Sequence, residues 1–452
     1  MKGNWFGLFV VLMLYSLGAL AQEDKVVLNQ YGQEVERTDV DADTRNSILT
    51  FESKDGDYRF WMDNRVYFDA GLFFDKKALN PIGNGLNIRR ARMAVKTKMH
   101  KNWYGEIDLD FAGAAMEMKD MIIKYTNDAN SFSLKGGHFK EGFSMETTTT
   151  SRYLTFVERS LISKITPSRH LGFQATYGKE KYLLIGGLHF NKQGEFEEVE
   201  FSKKANKKQG TDEGYSLTGR LVVRPIIDMD KLLHLGAAFS YRTPKTDLEI
   251  PNSYRYSTRS ISSINRKKYI DTDDILDVDN NVLFNVELAG AYKNLMFQSQ
   301  YMTSTVNRIG DLKPVHLSGF YAQAGYLLFG GSYRYNKMEG EFTQLKMGRS
   351  KGEMEVAFRY DYVNANDKEA EIYGGSAEAY TLGLNYYFNT NVKLMLDYSY
   401  LNHDRYANGK GKLFVGTDKD GRPTKKYGEV TEAAGKGGDD FGQFQMRVEI
   451  DF

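Results

Sequence analysis

The last twelve residues, FGQFQMRVEIDF from Phe441 to Phe452, settle into strict alternation: Phe444, Met446, Val448, Ile450 and Phe452 are apolar, while Gln443, Gln445, Arg447, Glu449 and Asp451 are polar. A period of two is a strand with one apolar and one polar face, here ending the chain on an aromatic. Upstream, Leu382, Leu384, Tyr386 and Phe388 alternate in the same way. Asn389-Thr390-Asn391 then turns the chain, and Val392, Leu394, Leu396, Tyr398 and Tyr400 resume the pattern, which is a hairpin with a tight turn. From Asp57 onward the chain reads as about sixteen such strands, beginning near residues 58, 86, 103, 118, 131, 171, 181, 214, 232, 282, 295, 318, 353, 378, 392 and 441.

The connections mostly alternate in length. HKN, NDANS, GKEK, KN and NTN are short, whereas residues 141–170, 191–213, 243–281 and 403–440 are long; residues 330–352 form a long segment where a short turn is due. Short turns at one end, long loops at the other, an even strand count and tyrosine-rich strand ends describe a transmembrane antiparallel β-barrel of the outer-membrane type. Closure leaves no free edge and lipid sees only every second residue, so a mean hydropathy of −0.51 is compatible with a bilayer. After residue 21 nothing approaches the roughly 18 apolar residues of a spanning helix. The rival architecture, a soluble β-sandwich or surface adhesin, requires Greek-key crossovers in place of repeated hairpins.

Aromatics make up 13% of the chain against 7 prolines, a strand-rich composition, and the absence of cysteine excludes disulfides and thiolate chemistry. At the N-terminus, Lys2, the apolar run Leu8 to Tyr15 and Ala19-Leu20-Ala21 read as a signal peptide over residues 1–21, with the mature chain starting at Gln22. Cleavage leaves 59 basic and 59 acidic residues, so overall charge points to no nucleic acid or other polyanionic partner. Residues 22–56 are polar, charge-rich and without a sustained period, and read as a periplasmic tail ahead of a barrel over residues 57–452.

Four segments carry a resemblance: IRRARMAVKTKMHKNWYGEIDLDFA from Ile88, LKGGHFKEGFSMETTTTSRYLTFVERSL from Leu134, GLNYYFNTNVKLMLDYSY from Gly383 and the terminal QMRVEIDF. They resemble the phosphate-selective porin O and P family, and the likeness covers most of the mature chain. The resemblance implies a sixteen-stranded, usually trimeric porin of the Gram-negative outer membrane whose third external loop folds inward as the constriction. It also implies that outer-membrane assembly machinery reads the terminal Phe452. The chain departs from the family at Gly142, where a proline is usual, and at His170, where a second arginine often follows Arg169.

Counting loops independently makes residues 141–170 the third external loop. Its stretch SRYLTFVERSLISKITPSRHLGF, from Ser151, places Arg152, Arg159, Lys164 and Arg169 on the pore side if Tyr153, Phe156 and Leu161 pack against the wall. The same arginines could equally pin the loop to wall carboxylates.

A second set of candidates lies on the wall. With Ala91, Met93, Val95 and Met99 toward lipid, Arg90, Arg92, Lys96 and Lys98 face the lumen, with rungs at about 6.6 to 6.8 Å along the strand. The next strand aims Glu106, Asp108 and Asp110 the same way, and a hairpin centred on Lys101 sets Lys96 opposite Glu106 and Arg92 opposite Asp110. Arg65, Arg220, Arg359, Lys393 and Arg447 are also placed inside, with Asp69, Glu287, Glu355, Asp361, Asp397, Glu449 and Asp451. That makes nine basic against ten acidic residues, the balance of a mixed-charge, weakly selective lumen.

No GxSxG, GxxxxGK[ST] or HExxH occurs, and the seven histidines show no ligand spacing, so no catalytic residue, metal or cofactor is assigned. A barrel hydrolase remains the enzymatic alternative, its residues meeting only in three dimensions. Asp271, Asp273, Asp274, Asp277 and Asp279 read either as a cation-gathering loop or as a solvated acidic one. Together these features lead to the expectation of a water-filled channel for passive diffusion of small hydrophilic solutes, with a modest preference for anions such as phosphate.

Overall fold

The structure is a computed structural model describing residues 27–35, 38–74, 82–113, 116–190, 203–204, 207, 212–246, 249–264, 267–404, 406–407, 416–424, 429, 431 and 440–452. The expected signal peptide lies outside the described residues.

Sixteen antiparallel strands close on themselves. In chain order they are β1 (Arg59–Phe74), β2 (Gly85–Met99), β3 (Trp103–Asp110), β4 (Glu117–Thr126), β5 (Phe132–Lys140), β6 (Arg169–Gly178), β7 (Tyr182–His189) and β8 (Ser216–Ile227). Then follow β9 (Lys231–Arg242), β10 (Val278–Tyr292), β11 (Leu295–Arg308), β12 (Val315–Leu327), β13 (Glu353–Asp367), β14 (Ile372–Tyr387), β15 (Val392–His403) and β16 (Phe441–Asp451). Each pairs with its chain neighbours, and the C-terminal β16 closes the barrel against β1, with Arg447 opposite Asp69 and Asp451 opposite Arg65. The exposed side of the alternation is apolar, as at Phe68, Ile107, Ile123, Phe173, Phe284 and Leu382, while the polar partners are buried inside. Trp103, Tyr182, Tyr292, Phe388 and Phe452 stand exposed near the short-turn ends, the aromatic girdle of a membrane boundary.

The wall carries three additions. Residues 40–53, expected as part of a polar tail, form a hairpin (Val40–Arg45 with Ile48–Ser53) whose second strand pairs with the start of β1, Phe51 opposite Phe60. Its first strand is exposed at every residue, so both faces meet water and no apolar period marked it in the sequence. The anomalous long segment between β12 and β13 is a second hairpin (Ser332–Asn336 with Glu341–Lys346) at the short-turn end. Arg220 donates from Nη2 to the Gly340 carbonyl at 2.8 Å and Arg224 from Nη1 to the Lys337 carbonyl at 3.2 Å, so this hairpin reaches from β12 across to β8.

Third, residues 141–168 run between opposite walls. The Met145 amide donates to Glu287 on β10 at 2.8 Å, Val157 to Asp397 on β15 at 2.8 Å and Leu161 to Asp361 on β13 at 3.2 Å, while Arg65 on β1 reaches Thr150 at 3.0 Å. Strands so far apart around the circumference share one loop only if it passes through the interior. Its Leu161, Ile162 and Ile165 join Ile261, Tyr269 and Ile270 of the fifth external loop and Met302, Leu317 and Val363 of the wall in an apolar core inside the barrel.

Candidate functional site

The lumen is built from charges that alternation aims inward. On β2 and β3 the observed register sets Lys96 opposite Glu106 and Arg92 opposite Asp110, as the sequence predicts. Lys96 lies 3.6 Å from Glu106 but 2.5 Å from Asp63 of β1, and Arg92 lies 2.8 Å from Asp110 and 3.7 Å from Asp108. Every member of the wider set placed inside from sequence, from Arg65 and Asp69 to Glu449 and Asp451, is buried with its strand's inward face.

The loop cations divide. Arg152 pairs with Asp63 and lies 3.7 Å from Asp451, and Arg169 forks onto Asp120 at 3.2 and 2.6 Å. These two are pinned to wall carboxylates. Arg159 instead donates to the carbonyls of Glu146, within the single-turn helix Met145–Thr148, and of Thr149, which caps it, and Lys140 of β5 donates to those of Thr148 and Thr149. Lys164 is exposed. Phe156 and Leu161 are fully buried, whereas Tyr153, expected against the wall, is half-buried.

The loop's acids are held inside it. Burial raises the carboxyl of Glu146, which accepts from the Ser160 amide and hydroxyl. Burial pushes Glu158 the same way, but Arg89 and Arg447 outweigh it and hold the carboxyl below its usual range. Burial also lowers Arg159 to about 10.

Several lumen residues escaped the sequence reading. A register shift between Tyr67 and Phe68 turns both Arg89 and Arg90 inward, and Arg89 meets Glu158 at 2.5 Å. Another shift between Ile107 and Leu109 resets β4, where IIKYT offers apolar residues on both faces and hides the inward Lys124. Lys124 stands 5.2 Å from the Tyr104 ring centre and Lys135 of β5 stands 4.2 Å from that of Phe139.

Pairing changes the meaning of the nine-to-ten tally. Glu287 is held by Arg220, Asp69 by Arg447 and Asp361 by Arg359, and Asp397 accepts a loop amide. The carboxylates of Glu106, Asp108 and Asp120, within 4.8 Å of one another, face Lys96, Arg92 and Arg169. By contrast, Arg90, Lys98, Lys124, Lys135, Lys140, Arg159 and Lys164 have no carboxylate oxygen within 4.0 Å among the described residues. In the fifth external loop, three acids of the acidic run gather on Arg255, 2.8 Å from Asp271, 3.4 Å from Asp273 and 3.6 Å from Asp274.

A curated relative, Porin O of Pseudomonas aeruginosa, is 24% identical over 399 residues, covering 80% of this chain and 87% of that protein. In fold the chain is similar to OmpT, an outer membrane protein of Vibrio cholerae. A loop-deletion mutant of OmpT gives a TM-score of 0.51 at 9% identity, covering 88% of this chain and 100% of that one. Its in-vitro folded trimer form gives 0.50 at 10% identity, covering 87% and 99%. Residues 60–419 match the phosphate-selective porin O and P family, well over half of the chain, so this β-barrel belongs to that family of channels of the Gram-negative outer membrane.

Proposed function

We propose that the chain forms a passive diffusion channel for small hydrophilic solutes with a modest preference for anions such as phosphate, narrowed by residues 141–170 and working as a homotrimer. The observation that carries the anion preference is the asymmetry of pairing: most lumen acids are compensated by arginines, lysines or loop amides, Glu355 accepting instead from Tyr333, Tyr387 and Asn385, while seven cations spread over β2, β4, β5 and the loop have no carboxylate partner among the described residues. Unpaired cations in a narrow aqueous path lower the energy of a passing anion and raise that of a cation. Trimerisation is supported by the trimer form of the Vibrio cholerae protein. Single-channel conductance and reversal potential in a planar bilayer test the proposal. A cation-selective reversal potential at low salt removes the anion preference, and absence of conductance from folded protein removes the channel.

A further inference from the structure

The barrel wall is uneven in height. β3 and β7 have 8 residues each and β4, β5 and β6 have 10, 9 and 10, whereas β13 and β14 have 15 and 16. At about 3.4 Å per residue and a tilt of about 40°, eight residues rise about 21 Å, short of the apolar band of about 25 Å that such barrels present to the membrane. A short wall facing lipid deforms the bilayer, and oligomerising through that wall removes the cost.

The outer face of this short wall is also hollow. A cavity of about 1460 Å³ runs over it from Val95 on β2 to Leu217 on β8, and Gly105, Gly136 and Gly186 line it. Two of these glycines serve the chain itself: a Cβ at Gly105 would come within 3.1 Å of Thr97, and one at Gly136 within 3.1 Å of Phe173. Gly186 has no such internal reason. It is exposed in the middle of β7, its φ is not positive, and a Cβ there would meet nothing within 4 Å among the described residues. Glycine inside a strand weakens it and marks a place where another backbone approaches closely. Fluid lipid tails fit around a leucine as readily as around a glycine, so only a rigid neighbour gives a reason for the bare position. In register Gly186 lies between Ala175 and Gly219, so three adjacent strands form a trough. Phe173, 68% exposed, stands on the same face as a ridge. Ridge and trough on one face are self-complementary, and the partner that carries both is a second copy of this chain. The seven strands β2–β8, about 4.8 Å apart and tilted by about 40°, cover about 44 Å of circumference, which at about 21 Å of height is about 900 Å², against about 800 Å² per partner in a stable interface.

We infer that the outer face of β2–β8, centred on Gly186, is where neighbouring copies of this chain pack against one another in the membrane. The inference deepens the homotrimer reading and rests on it only for the number of copies. The chain has no cysteine, so Gly186→Cys, Phe173→Cys and, on the tall wall, the exposed Leu382→Cys each give a single reactive position. Differently tagged Gly186→Cys and Phe173→Cys chains, expressed together, should be joined by a short bis-maleimide added to outer membranes. Gly186→Cys expressed with Leu382→Cys should not. Gly186→Trp fills the trough and should lower association about tenfold or more, read as oligomer mass in mild detergent. Because that side chain points away from the lumen, each barrel should keep its heat-modifiable migration and its single-channel conductance, which checks folding. The inference is overturned if ridge and trough cysteines join no better than the tall-wall control, or if Gly186→Trp associates as the parent does. It is also overturned if a lipid-soluble maleimide labels Gly186→Cys as fast as Leu382→Cys, which would give the trough to lipid. A trimeric parent without the ridge-to-trough link would remove this face and leave the trimer; the link in a dimeric parent would remove the trimer and leave the face.

Discussion

Replacing Lys124 by Gln should lower the chloride-to-potassium permeability ratio, while removing Arg92 and Asp110 together, as Arg92→Gln with Asp110→Asn, should leave it unchanged. The contrast comes from pairing: Lys124 faces the lumen over the Tyr104 ring with no carboxylate nearby among the described residues, whereas Arg92 and Asp110 meet at 2.8 Å. Across about 5 Å of water a unit charge acts on a passing ion with about 0.8 kcal/mol. At 0.1 M salt the Debye length of about 10 Å leaves roughly 0.5 kcal/mol. That is about 2.3-fold in rate for an anion and about 2.3-fold the other way for a cation, so the ratio should fall about fivefold. At 1 M, where screening acts within about 3 Å, the change should shrink below about twofold. Reversal potentials under a potassium chloride gradient at both salt levels provide the assay. If the paired double variant shifts the ratio as far as Lys124→Gln, or if Lys124→Gln shifts nothing at low salt, pairing does not govern what an ion senses in this lumen.

Neutralising Arg90, Arg92 and Arg152 together should lower the same ratio, and Glu106→Gln alone should raise it by removing one of the two carboxylates at Lys96, the one 3.6 Å away, while Asp63 stays at 2.5 Å; reversal potentials again decide. Deleting Phe452, whose amide and carbonyl bond to Asn64 at 3.0 and 2.7 Å, should sharply reduce the heat-modifiable assembled species recovered from outer membranes, and undiminished assembly would count against its role as a signal. Burial, with Glu339 nearby, raises the carboxyl of Glu341 on the β12–β13 hairpin to about 7, against the smaller pull of Lys140 and Arg220. Because the docked state holds the proton that the free carboxyl releases near its ordinary 4.5, docking should weaken as pH rises from about 4.5 to about 7, by up to about 1.4 kcal/mol per unit. Hydrogen exchange of the hairpin amides should therefore be faster at pH 8 than at pH 5 after correction for intrinsic rates, and Glu341→Gln should abolish that difference.

Most of the wall was legible because lipid on one side and a polar lumen on the other impose a period of two, and the hairpin centre at Lys101 then fixed the pairing of Lys96 with Glu106. Strand starts were poorest where that constraint lapses. The strand read from residue 282 begins at Val278 and that from residue 378 at Ile372, since above the membrane a strand continues on backbone pairing with polar side chains on both faces. The same reasoning explains the exposed N-terminal hairpin, which borrows its order from the edge of β1. Residues hidden by bulges, Arg89 and Lys124, could not be found from spacing, because one extra residue inverts which side chains face inward. Arg89 did leave a trace: two consecutive arginines in an otherwise alternating strand are what a bulge accommodates.

The wall acids show what a charge count alone leaves out. Glu287, Asp361 and Asp397 each accept a main-chain amide from residues 141–168, and Glu287 and Asp361 are additionally held by Arg220 and Arg359. A loop crossing a polar lumen exposes amides that have no strand partner, and each left unpaired away from water costs about 1–3 kcal/mol. Carboxylates on the wall satisfy them with charge-assisted bonds, and arginines satisfy the carboxylates in turn, so fixing the loop consumes acid and base together. Cations beyond that scaffold, among them Lys98, Lys124 and Lys135, have no carboxylate partner among the described residues. On the proposed reading, selectivity in this barrel should follow from which charges residues 141–168 leave over rather than from the sum along the chain, and a change in their anchoring should alter the field in the pore even where no pore-facing cation is touched.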